Sequence, residues 1–134
     1  MNNEIKMTSS RPYLLRAIYE WIVDNNMTPY LLVDATADAV QVPTEHVNNG
    51  KIILNISPAA VMGLELSDQA VSFNARFSGK PMFVNVPIMA VLAIYSKENG
   101  RGMVFTEDND DGSPDDGGPG PESKESKPTL RVVK

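Results

Sequence analysis

Val71-Ser72-Phe73-Asn74-Ala75-Arg76-Phe77 places Val71, Phe73, Ala75 and Phe77 on one side of an extended chain, and Ser72, Asn74 and Arg76 on the other. Period-two alternation of this kind predicts a half-buried β-strand. Ser78-Gly79-Lys80-Pro81 then turns the chain, and Met82–Val86 returns as a second strand. The small Ala75 between two phenylalanines leaves a dent flanked by rings. A dent beside a half-exposed edge strand can accept an extended peptide, with main-chain hydrogen bonds for affinity and pockets for selectivity. Ordinary sheet packing is the other reading of the same pattern.

Working outward from this hairpin, the chain reads as further short strands. Tyr30–Val33, Ala39–Val42 (stopped by Pro43) and Lys51–Ile56 precede it, the last led by the hairpin signal Asn49-Gly50. Ser57-Pro58-Ala59-Ala60 reads as a helical turn or loop, and Pro87–Val91 as one short helical turn. Leu92–Ser96 and Met103–Phe105 bracket a hairpin turn at Glu98-Asn99-Gly100-Arg101-Gly102. The irregular segment Val42-Pro43-Thr44-Glu45-His46-Val47 leads into the Asn49-Gly50 turn, and such segments beside sheets often carry binding residues.

One helix precedes the strands. Pro12 sits near its first turn, where a missing N–H does no harm, and the helix is expected from Pro12 to about Asn25. Leu14, Ala17, Ile18 and Trp21 form one apolar stripe; Leu15, Tyr19 and Ile22 form a second, turned by about 100°. Arg16, Glu20 and Asp24 mark a narrow polar side. Either this helix lies deep in its own core, or it buries two faces, with the face around Tyr13 and Ala17 available to another subunit. One helix followed by about seven short strands predicts a mostly β fold, a small antiparallel barrel or sandwich.

The 134 residues suffice for one domain. Residues 1–10 are polar and read as a disordered lead. Residues 1–106 hold 9 acidic and 8 basic side chains, so the body is near neutral and lacks a basic field for nucleic acid. Residues 107–134 hold 8 acids and 4 bases, the bases all at position 124 or later. From Glu107 to Lys127 there is too little apolar surface to build a core; this is a linker with a reach of roughly 25 Å. It ends in the apolar and basic Pro128-Thr129-Leu130-Arg131-Val132-Val133-Lys134, either a frayed end or a tethered ligand.

No cysteine is present, so disulfides and thiolate metal sites are excluded. No stretch approaches a membrane span, and the N-terminus lacks the core of a secretory signal, so the cytoplasm is the default compartment. His46 is the only histidine and reads as a surface residue beside Glu45. Glu107–Gly118 faintly resembles a calcium loop, but its last position is Gly118 where the loop needs a bidentate Glu. No phosphate cradle or nucleophile elbow is visible. No catalytic residue, metal site or cofactor is expected.

Arg11-Pro12-Tyr13-Leu14-Leu15-Arg16-Ala17, Thr28-Pro29-Tyr30, Val40-Gln41-Val42-Pro43, Phe73-Asn74-Ala75-Arg76-Phe77, Leu92-Ala93-Ile94-Tyr95-Ser96-Lys97-Glu98-Asn99-Gly100 and the terminal Leu130-Arg131-Val132-Val133-Lys134 together resemble the stringent starvation protein B (SspB) family. The resemblance spans nearly all of residues 11–106 and the tip. It implies a homodimeric adaptor with an Sm-like β-barrel that binds the ssrA degradation tag and brings tagged proteins to the ClpXP protease. It implies a tag- and dimer-forming domain at 11–106, a linker at 107–127 and a ClpX-docking peptide at 128–134. In residues, it implies a tag groove around Val42, Glu45, His46, Val47 and Phe73, Asn74, Ala75, Arg76, Phe77, with Ala75 on the floor. It places Tyr13, Ala17 and Glu20 at the dimer interface. Leu130, Arg131, Val132, Val133 and Lys134 would contact ClpX. Because Sm-like barrels often bind RNA, a nucleic-acid-binding module is the alternative, against which the near-neutral body and acidic tail argue.

Overall fold

Arg11 and Pro12 start the helix α1, Arg11–Asp24, with proline in its first turn. The computed structural model describes residues 7–106 of the chain. Leu15 and Ile22, seven residues apart, are buried on one face of α1. The helix ends as Asn26 adopts a left-handed φ of 61° and the Met27 N–H turns back to the Ile22 carbonyl at 3.1 Å. Pro29 then opens an extended segment, because the residue before a proline avoids helical geometry.

Seven strands follow: β1 Pro29–Asp34, β2 Lys51–Asn55, β3 Met62–Leu66, β4 Ala70–Phe77, β5 Lys80–Pro87, β6 Val91–Ser96 and β7 Gly102–Val104. They form two antiparallel sheets, one ordered β2-β1-β6-β7 and the other β3-β4-β5. Of the two expected architectures, the strands adopt the sandwich: among the described residues no ladder closes the two sheets into a barrel. Alternation builds the core. Leu31 pairs with Leu54 and Val33 with Ile52 in one sheet, while Val71 pairs with Val86 and Phe73 with Val84 in the other. All eight side chains are buried in a single apolar cluster with Leu15, Ile22, Val91 and Ile94. Each such side chain contributes about 1.5–3 kcal/mol relative to an exposed one.

Two expectations about strands are corrected. Ala39–Val42 is not a strand: Ala39 takes a left-handed φ of 67°, and only Gln41 makes an isolated bridge, to Asn85 of β5. A strand interior cannot hold a left-handed alanine, and Pro43 removes the next donor. In its place β3 forms, a strand whose pattern is masked by the left-handed Gly63 (φ 67°) and by a register shift between Met62 and Glu65. Both tight turns behave as their residues dictate. Asn49-Gly50 (φ 55° and 77°) and Ser78-Gly79 (φ 55° and 81°) take the paired positive φ of two-residue hairpins. At Gly102 the constraint is different, since a Cβ there would overlap the Ile94 carbonyl of the neighbouring strand.

The helix packs on β6, β1, β3 and the 3-10 turn Ile88–Ala90. Arg11 anchors its first turn. The guanidinium is buried, donates from Nη1 to the carbonyls of Met89 (3.2 Å) and Val91 (2.9 Å), and lies 5.4 Å from the centre of the Phe105 ring. Arg16 donates to the Leu66 carbonyl at 3.0 Å and pairs with Asp68 at 3.1 Å, tying α1 to the β3–β4 turn. Among the described residues no helix is long and apolar enough to cross a membrane.

Candidate functional site

The end of β4 is paired on one side only. β3 follows β4 as far as the pair Met62–Asn74, whereas β5 continues through Ala75–Met82, Arg76–Pro81 and Phe77–Lys80. The cause is the turn at 57–60, where the N–H groups of Ala60 and Val61 both donate to the Ser57 carbonyl. That turn carries the chain away from the line of β3. Between it and the end of β4 lies an open cleft of about 500 Å³, walled by residues 58–62 on one side and by Asn74, Ala75, Arg76 and Pro81 on the other.

The lining is small and apolar on the 58–61 side (Pro58, Ala59, Ala60, Val61) and polar on the β4 side. It contains one cation, Arg76, and no carboxylate. Arg76 is exposed and donates from Nη1 to the Gly79 carbonyl at 2.9 Å, which holds its stem over the hairpin turn. A strand laid along Ala75–Phe77 would continue the line of β3 and gain main-chain hydrogen bonds there, as in β-augmentation. The charge of the cleft favours a neutral or acidic occupant.

The residues singled out in the sequence fall into separate environments. Asn74, Ala75 and Arg76 line the cleft. Phe73 does not line the cleft: it is 1% exposed and belongs to the core, against which Ala75 and Phe77 pack. The Phe77 ring is half-buried and meets the exposed imidazole of His46 at a centroid distance of 5.9 Å and a tilt of 46°. His46 ends the 3-10 turn Thr44–His46, where Glu45 is also exposed. Val42 is buried and Val47 packs partly against the core, so both hold this strap down rather than face the cleft. The segment 58–62 and Pro81 were not singled out in the sequence. A run of proline and alanine after a strand carries no signal of a binding wall until folding brings it opposite β4.

Tyr13, Ala17 and Glu20 lie together on the outward face of α1 with Trp21. Tyr13 is 52% and Trp21 47% exposed, so this apolar face is not laid into the chain's own core. The Arg16 guanidinium stands 4.9 Å from the centre of the Tyr13 ring and braces it. Leu130–Lys134 and the expected linker at 107–127 lie outside the described residues, as do residues 1–6 of the expected lead. Among the described residues no three His, Asp or Glu side chains gather as metal ligands would.

Comparison with known proteins bears on nearly the whole chain. The family model described as SspB, stringent starvation protein B, matches residues 9–134. A relative named stringent starvation protein B homolog, from Haemophilus influenzae, is 51% identical over 102 residues, which are 76% of this chain and 68% of the relative.

Proposed function

The chain belongs to the stringent starvation protein B family, and on that premise we propose that it is a non-enzymatic, cytoplasmic delivery adaptor. It captures proteins bearing an ssrA-type degradation tag and tethers them to the ClpXP protease. The observation that carries this reading is the cleft beside the half-paired end of β4, where an extended peptide finds an open strand edge, small apolar walls and one cation.

In this reading the tag lies along Ala75–Phe77, with Asn74 and Arg76 addressing its polar side chains. His46, on the strap, and Phe77, at the end of β4, meet beside the end of that path. The protein works as a homodimer through the outward face of α1, where the small Ala17 lets two helices approach closely between Tyr13 and Trp21. The terminal Leu130-Arg131-Val132-Val133-Lys134 docks on ClpX. Delivery then follows from tethering: cargo and docking peptide on one molecule turn capture into a near-intramolecular event, with effective concentrations up to about millimolar for short flexible linkers.

The test is a fluorescence-anisotropy titration of the full chain with a labelled ssrA-type peptide, run beside a single-stranded RNA of similar charge. Saturable peptide binding at micromolar or lower concentration, without RNA binding, is expected. No saturation with peptide at tens of micromolar would overturn the reading, and saturation with RNA alone would favour a nucleic-acid-binding module.

A further inference from the structure

A second cavity, of about 230 Å³, opens at the far end of α1. Its apolar wall is Trp21, Ile22 and Met27; its polar rim is Asn25, Asn99 and Arg101. The rim is preorganised. Asn25 Nδ2 donates to the Trp21 carbonyl at 2.8 Å, and the Arg101 N–H donates to Asn99 Oδ1 at 3.0 Å. What remains open is an apolar slot whose wall is a half-exposed indole.

We infer that this slot is the seat of the N-terminal arm, Met7–Ser9, of a second copy of the chain. The inference rests on the α1-mediated homodimer of the proposed function and says what that dimer does beyond the helix pair. Four residues before Ala17 stands Tyr13, and four after it Trp21, all on the outward face. A two-fold axis at Ala17 with antiparallel helices crossing shallowly, near 20°, sets Tyr13 of each copy against Trp21 of the other. The same symmetry carries further out. α1 begins six residues before Ala17, at Arg11, and ends seven after it, at Asp24, so in this dimer the arm leaves one helix beside the end of the partner's helix, where the slot lies.

Two observations make Met7 the occupant. Its side chain is 70% exposed, a large apolar group with little cover on its own subunit. Its own slot is out of reach, because the 14 residues of α1 hold the two about 21 Å apart along the helix axis. A thioether also suits the wall, since sulfur packs well at an aromatic edge and adapts to irregular spaces. The short polar Thr8 following Met7 matches the amide and guanidinium rim.

The chain has no cysteine and a single tryptophan, so both probes are clean. Chains carrying Met7→Cys alone are mixed with chains carrying Asn25→Cys or Asn99→Cys alone and mildly oxidised. Roughly half of the protein, the share of mixed dimers when equal amounts exchange at random, is expected in a disulfide-linked dimer band for at least one pair, with little in either single variant by itself. Ala17→Cys, which lies on the proposed axis, reports on the dimer separately. If Ala17→Cys links and neither mixed pair does, the arm is not in the slot although the dimer stands. If Ala17→Cys also fails and the chain sediments as a monomer, both readings fall. As a second readout, Met7→Ser at concentrations where the dimer persists is expected to raise acrylamide quenching of Trp21 about twofold; unchanged quenching counts against the arm.

Discussion

Glu98, in the β6–β7 turn, accepts two hydrogen bonds from Thr28 in the α1–β1 turn, one from the backbone N–H at 2.8 Å and one from Oγ1 at 2.7 Å. The Lys97 N–H returns a bond to the Thr28 carbonyl at 2.9 Å, so two turns distant in sequence are stapled by three bonds. These donors, the backbone N–H first, pull the Glu98 carboxyl from its ordinary value of 4.5 to about 2. A group whose folded-state pKa is depressed contributes stability that is complete above its unfolded value and lost as pH falls through its folded one. Glu98→Ala is therefore expected to lower the thermal midpoint at pH 7. The gap to the parent should close between pH 4.5 and about 2. Thermal denaturation of both proteins across that range checks it, and a gap independent of pH would count against the staple.

Phe73 and Phe77 sit four residues apart on one strand and are expected to separate stability from binding. Phe73→Ala opens a cavity in the core and should cost about 3–5 kcal/mol. Phe77→Ala removes a half-buried ring that meets His46 and should cost about 1 kcal/mol, yet weaken tag binding. Urea unfolding and peptide titration of the two variants measure both quantities. Equal stability losses would mean that Phe77 is a core residue.

Ala75 lines the cleft, where a larger polar side chain intrudes on the path of a bound strand. Ala75→Gln is expected to leave the unfolding free energy within about 0.5 kcal/mol of the parent. Affinity for the tag should fall by about 1–3 kcal/mol, roughly 5- to 150-fold. Unchanged affinity in the folded variant would place the peptide elsewhere.

On the outward face of α1, Ala17→Glu sets two carboxylates against each other at the centre of the proposed dimer. An unpaired charge buried there should weaken dimerisation by about 100-fold or more. Sedimentation analysis is expected to show a folded monomer that still binds tag peptide. A dimer of unchanged affinity would exclude this face.

Removing Leu130–Lys134 tests the tether independently of the body. Tag binding should be unaffected, while the enhancement of ClpXP degradation at low substrate, about 10²-fold in effective terms, should vanish. Enhancement that survives the truncation would show that the tip is not the docking element.

Much of the scaffold was legible because its signals are local. The alternation of Val71–Phe77, the Asn49-Gly50 and Ser78-Gly79 turns and the Pro12 helix start each depend on a few adjacent residues, and each folds as read. The failures share a cause. Ala39–Val42 looks like a strand, but the chain rounds a corner at the left-handed Ala39 and only Gln41 goes on to make a bridge. Met62–Leu66 does not look like a strand, and acquires its pairing from β4 alone.

The candidate site was legible in half. Sequence pattern by itself determined that Ala75 lies on a two-faced strand next to a turn and that one helix opening at Pro12 precedes the strands. These follow from period, composition and turn chemistry, which need no knowledge of distant partners. Only the tertiary structure decided that Phe73 belongs to the core, that β3 stops pairing at Asn74, and that Pro58–Met62 form the opposite wall of the cleft. A strand edge becomes a binding edge only when its neighbour turns away, and that depends on residues brought together from separate parts of the chain.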